Sequence, residues 1–249
     1  MRTLLTLASA ACLLLAPSGR ADEQADLQKV IDKAIKAHGT DKADKDKKAS
    51  TFKVKGKVHT MGMDFQFDGD YQAQEPDKIR QAMTVNINGT DVEVVTVFDG
   101  KKAWVHAMGN TMDLGEDAVA AFKEEVYAGK VDDLTGLKEK GYKFGSLAEK
   151  KIGDRAAIGV SVAREGHKDI FLYFDKESGL LLMSERQAKD PATGEEHKQE
   201  TEFANYKDVD GVKRPHKLSL RRDGEKFLEA EVSEIKILDK LDDSTFAKP

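Results

Sequence analysis

Residues 51–71 read TFKVKGKVHTMGMDFQFDGDY. Phe52, Val54, Gly56 and Val58 alternate with Lys53, Lys55 and Lys57. After a tight connection at Met61-Gly62, Met63, Phe65, Phe67, Gly69 and Tyr71 alternate with Asp64, Gln66, Asp68 and Asp70. A period of two with one apolar side is the pattern of a half-buried strand, so this stretch predicts two paired antiparallel strands.

The same pattern continues downstream. Glu75-Pro76-Asp77 marks a turn, and Ile79–Ile87, Val92–Phe98 and Ala103–Ala107 give further strands. Asn88-Gly89 and Asp99-Gly100 supply dipeptides that tolerate the positive φ of tight hairpins. Asn88-Gly89-Thr90 also fits a glycosylation acceptor, but the turn reading is preferred. Residues 115–144 break the pattern. Val119, Phe122 and Val126 fall at helical spacing, and Leu134 and Leu137 suggest a second short helix. Strands resume at Ala156–Ala163, Ile170–Phe174, Leu180–Gln187, Thr201–Tyr206, His216–Arg221 and Phe227–Leu238. The expected fold is therefore mainly β (α+β), with about ten antiparallel strands and a helical insert. A sheet of that size curls or closes to limit its exposed edges.

Upstream, Leu27, Val30, Ile31, Ala34 and Ile35 form one apolar stripe, predicting a helix over 22–38 that Gly39 ends. Further upstream, Arg2 precedes the almost wholly apolar, uncharged run Leu4–Ala16. Small residues at Gly19 and Ala21 frame a cleavage after Ala21, so residues 1–21 read as a secretory signal peptide. The run is shorter than the about 20 residues needed to span a bilayer. Cys12 lies inside it, with three leucines following, which is not the placement of a lipidated cysteine. Cleavage after Ala21 leaves residues 22–249 as a single cysteine-free domain, excluding disulfides and thiol chemistry.

Composition limits the partners. Charged residues are 34% of the chain and apolar ones 39%. Loss of the leader with Arg2 and Arg20 moves the formal charge from −5 to −7. An acidic surface does not suit nucleic acid, and no transmembrane segment is expected in the mature chain. Catalytic signatures are missing. The six histidines stand apart from one another, with no HExxH, CxxC or His-x-His, and there is no GxSxG, GxGxxG or GxxxxGK[ST]. Asp208-Val209-Asp210-Gly211 lacks the later ligands of a calcium loop and reads as a turn. No metal, cofactor or catalytic residue is assigned, and the chain is expected not to be an enzyme.

Large soft apolar residues stand at inward-type positions: Met63, Phe65, Phe67, Met83, Phe98, Trp104, Phe171, Phe174 and Met183. They are either a packed core or the lining of an apolar cavity, since both use the same residues.

Several segments carry a family resemblance. Pro76-Asp77-Lys78-Ile79-Arg80 leads into a strand, and Phe98-Asp99-Gly100-Lys101-Lys102-Ala103-Trp104-Val105 follows. Tyr173–Leu181, Tyr206–Pro215 and the ending Asp242–Pro249 add to it. With the order signal peptide, helix, strands, helical insert, strands, the chain resembles the LolA-like superfamily of outer-membrane lipoprotein carriers over most of its mature length. The resemblance implies an unclosed antiparallel β-barrel, or strongly curved sheet, covered by the N-terminal helix and the insert. It also implies periplasmic location, soluble after cleavage, and a lipid, acyl chain or lipidated protein held in an apolar cavity. The alternative is an envelope sensor or protein-interaction module on the same scaffold without ligand.

Overall fold

The computed structural model describes residues 18–44, 46–60, 62–87, 89–191 and 193–249, with side chains from Gln24 onward. The readings on the apolar leader, Cys12, Met61 and Asn88 lie outside these residues. A helix, α1, spans Ser18–His38. It ends at Gly39, whose φ of 75° is left-handed and whose N–H donates to the Ile35 carbonyl at 2.9 Å. A Cβ there would stand 2.3 Å from the Gly211 carbonyl oxygen, so only glycine fits.

Six strands follow: β1 Ala49–Thr60, β2 Met63–Gln74, β3 Lys78–Ile87, β4 Thr90–Phe98, β5 Ala103–Ala107 and β6 Asn110–Leu114. The helix α2 covers Glu116–Asp132. Then come β7 Tyr142–Ile152, β8 Arg155–Arg164, β9 Ile170–Asp175, β10 Leu181–Lys189, β11 Glu196–Ala204, β12 Lys207–Val209, β13 Val212–Arg214, β14 Lys217–Arg222 and β15 Glu225–Leu238. Thirteen of them form one antiparallel sheet in the order β6-β5-β4-β3-β2-β1-β15-β14-β11-β10-β9-β8-β7, and β12-β13 is a separate hairpin. The sheet is unclosed, with β6 and β7 at its edges.

The expectation of about ten strands falls short mainly at those edges. β6 (NTMDL) and β7 (YKFGSLAEKKI) are polar, because an edge strand buries little and shows a weak alternation. The Asp208–Gly211 turn joins β12 to β13. The second short helix expected near Leu134 does not form. Leu134 takes a φ of 58° and stops α2, with Thr135 N–H closing on the Lys130 carbonyl at 2.9 Å. Leu134 and Leu137 are nonetheless buried, as plugs rather than helix.

Both helices lie on one face of the sheet. Leu27, Ile31 and Ile35 of α1 and Tyr127 and Val131 of α2 pack with Val160, Val162, Ile170, Leu172, Phe174 and Leu181. At the other end, Phe122 of α2 stacks on Phe98 with ring centroids 5.6 Å apart. The helix-bearing side is the inner face of the sheet. The outer face carries two small clusters of its own. Val95, Val97 and Trp104 are covered by Phe246 of the C-terminal segment. Met183, Tyr173 and Phe171 pack beside Ala157, with the Lys150 ammonium 3.7 Å from the centre of the Tyr173 ring.

Candidate functional site

The nine sequence candidates do not share one lining. Phe65, Phe67 and Met83 lie on the inner face, Phe67 buried and the other two half-buried. Met63 has inner-face parity at the end of β2 and is half exposed. Phe98 and Phe174 are fully buried in packed clusters under the helices. Trp104, Phe171 and Met183 sit on the opposite side of the sheet, in the outer-face clusters. For Met183 the cause is a register shift in β10 between Leu181 and Met183, which turns the residue outward.

The inner face holds a different, continuous feature. Cross-strand partners on the same face run Phe65–Val58–Leu228–Leu220–Thr201–Ser184 across β2, β1, β15, β14, β11 and β10. Phe65, Val58, Leu228 and Leu220 are half-buried and belong to none of the helix-covered clusters. A second row, Phe67, Gly56, Ala230 and Leu218, lies beside it. Five strand spacings make the first row roughly 24 Å long. Two inner-face glycines shape the trough. A Cβ on Gly56 would stand 1.9 Å from the Glu229 carbonyl oxygen. One on Gly69 would stand 2.2 Å from the Ala82 carbonyl oxygen and 2.7 Å from the Met83 sulfur. Met83 thus fills the space that Gly69 leaves free.

The Ser184 end is polar and lies under α2. Arg186, buried on β10, donates from Nη2 to both carboxylate oxygens of Glu125 at 2.7 Å each. Ser184, also buried, hydrogen-bonds the Asp132 carboxylate. Asp132 Oδ1 is buried with no hydrogen-bond partner among the described residues. Burial pushes the Asp132 pKa up to about 7, with Arg186 and the Ser184 hydrogen bond pulling the other way. Asp133 pairs with Arg214 at 2.7 Å. Burial raises the Tyr206 phenol, which donates to the Leu181 carbonyl at 2.9 Å. Tyr71, facing this region from β2, is also raised by burial, with Glu125 and Asp133 adding to it. None of these polar groups was singled out by sequence. Arg186 and Ser184 stand in a strand recognised as such, but the face they occupy depends on the β10 register shift.

Two clefts of about 720 and 730 Å³ are also present, the second reaching Gly56, Phe67 and Ala230 of the second row. The first runs between Gln24 and Gln28 of α1 and Tyr142–Phe144 of β7; the second is lined largely by outer-face lysines and acids such as Lys55, Lys57, Asp68 and Glu231. Among the described residues, no group of three or more His, Cys, Asp or Glu side chains is placed to hold a metal. No helix among them is long and apolar enough to cross a membrane.

Three solved structures are similar over 89% of this chain and 97% of their own. One is a LolA-superfamily protein from Nitrosomonas europaea (TM-score 0.54, 10% identity). The second is a putative outer membrane lipoprotein-sorting protein domain from Vibrio parahaemolyticus (0.53, 14%). The third is a DUF1329-family protein from Desulfovibrio piger (0.56, 13%). No family model and no curated protein matches the sequence. The chain has a LolA-like fold: an unclosed, curved antiparallel sheet with its helices on one face.

Proposed function

We propose that this protein is an exported periplasmic carrier or binder of a lipid, acyl chain or lipidated protein. It acts by binding rather than catalysis, as one domain after loss of residues 1–21. The observation that carries this reading is the row Phe65–Val58–Leu228–Leu220, half-buried on the inner face and outside the helix-covered clusters. Each methylene an acyl chain buries there contributes about 0.8 kcal/mol, so the row binds a long chain without any charged contact. The fold likeness to a lipoprotein-sorting domain supports the same reading.

Native mass spectrometry of protein purified without detergent tests it. A co-purified lipid is expected, and Leu228→Glu, which places a charge in the row, should remove it while the protein stays folded. A clean apo mass, together with no binding of an added fluorescent fatty acid, would overturn the proposal and favour an interaction module that needs no ligand.

A further inference from the structure

The proposed trough has a charged end whose charges do not balance. Two cations, Arg186 and Arg214, stand against three carboxylates, Glu125, Asp132 and Asp133. Glu125 occupies Arg186 through both its oxygens, and Asp133 occupies Arg214 at 2.7 Å. Asp132 is the remainder. Its partner Ser184 is 3% exposed, and Oδ1 is buried without a partner among the described residues. A buried carboxylate oxygen left in this state is costly, and a donor delivered by a ligand would satisfy it. An anionic head group would instead meet three carboxylates here, two of them already paired with Arg186 and Arg214, although Arg214 Nε is buried without a partner among the described residues.

Ser184 is also the last member of the cross-strand row that ends at Phe65. A chain whose head lies at Asp132 therefore has its tail directed along Thr201, Leu220, Leu228 and Val58. We propose that Asp132 receives a cationic, hydrogen-bond-donating head group, so that the trough selects long-chain amines and amine-bearing lipids over fatty carboxylates. This rests on the carrier reading above and names its ligand class.

The test compares dodecylamine, dodecanoate and dodecanol, below their micelle concentrations, by calorimetric titration at about pH 8, where Asp132 is charged and the amine keeps its proton. In the unmodified protein the amine should bind about tenfold or more tighter than the carboxylate, the scale of a charge-assisted hydrogen bond. Asp132→Asn should remove most of that preference while leaving dodecanol affinity within about twofold. Dodecanoate binding as tightly as dodecylamine would overturn the inference, and that comparison needs no variant. So would a preference that survives Asp132→Asn. Dodecanol failing to bind would overturn the carrier reading itself, and this inference with it.

Discussion

A single nitrogen of Arg186, Nη2, donates to both carboxylate oxygens of Glu125 at 2.7 Å, and Arg186 is only 7% exposed. This contact ties α2 to β10 in the middle of a face that is otherwise largely apolar. Around it, α2 makes further polar contacts through Asp117 to Lys189 at 3.2 Å and Glu124 to His167 at 2.9 Å. The acids of the helix thus add polar contacts to the apolar packing of Tyr127 and Val131.

Removing Glu125 leaves Arg186 without its hydrogen-bonded partner and with Asp132 as the nearby carboxylate. Glu125→Ala strands a buried guanidinium, which typically costs about 3–5 kcal/mol. Glu125 is itself partly exposed, with 36% of its side chain accessible, so water relieves some of this. A loss of about 2–4 kcal/mol is expected in urea unfolding. The double variant Glu125→Leu, Arg186→Met should recover most of it, because the apolar pair needs no partner. A double variant no more stable than Glu125→Ala would show that the pair specifies the docking of α2 beyond its own charge balance.

Asp132 sets a pH dependence of the opposite sign to an ordinary salt-bridged carboxylate. Its folded pKa of about 7 lies above the unfolded value of 3.8. Between those values the folded state holds a proton that the unfolded chain has lost, so stability falls as pH rises through the window. The full penalty is present above about pH 7. Asp132→Asn removes it, and should gain about 1–3 kcal/mol over the wild type at about pH 8 and little at about pH 4. Comparing the two proteins at each pH cancels groups that act the other way. One of these is Asp175, which Ser178 and Arg155 pull to about 2 despite the opposing effect of its burial. Urea midpoints across this range measure the difference, and an Asn variant less stable at the higher pH contradicts the assignment.

Trp104 is the sole tryptophan, and it reports on the outer face. It is 7% exposed, packs with Val97 and Phe246, and donates from Nε1 to Asp113 at 2.7 Å. Phe246→Ala should uncover the indole, shift its emission to the red and cost about 2–3 kcal/mol, less than a central Phe because the cluster is small. A ligand on the inner face should leave Trp104 emission nearly unchanged.

How far these features could be read from sequence depends on how many faces a strand buries. At 51–71 only one face is apolar, so parity alone orients Val58, Phe65 and Phe67. In β9 the run Ile170–Phe174 is buried on both faces, and a continuous apolar run does not say which side is inner. Even so, Phe171 and Phe174, three apart on one strand, necessarily face opposite ways. Met183 was beyond reach because a register shift precedes it. The polar end of the trough had no local signal. Asp132 meets Ser184 and Glu125 meets Arg186 only because α2 folds back over β10, a contact between segments far apart in the chain.

The close approach of neighbouring strands does have a local signature, in glycines placed at inner-face positions of strands. Glycine in a strand interior normally weakens it, so its presence marks a close approach. At Gly69 an added Cβ would stand 2.2 Å from the Ala82 carbonyl oxygen and 2.7 Å from the Met83 sulfur. The sulfur end of Met83 can move, but the carbonyl belongs to the neighbouring strand and cannot move without disturbing the β2–β3 pairing. Gly69→Ala should therefore cost about 2 kcal/mol or more and weaken amphiphile binding together with stability. Gly129 is the opposite case. It lies inside α2, is exposed, and a Cβ there would meet nothing within 4 Å. Gly129→Ala should stabilise by about 0.8–1 kcal/mol through helix propensity alone. In a chain of this size that is a rise of about 2–4 °C in the unfolding temperature. Thermal unfolding of the two variants side by side distinguishes a glycine that shapes the trough from one that merely occupies a helix. Equal effects at both positions would show that the close contact at Gly69 does not constrain the sheet.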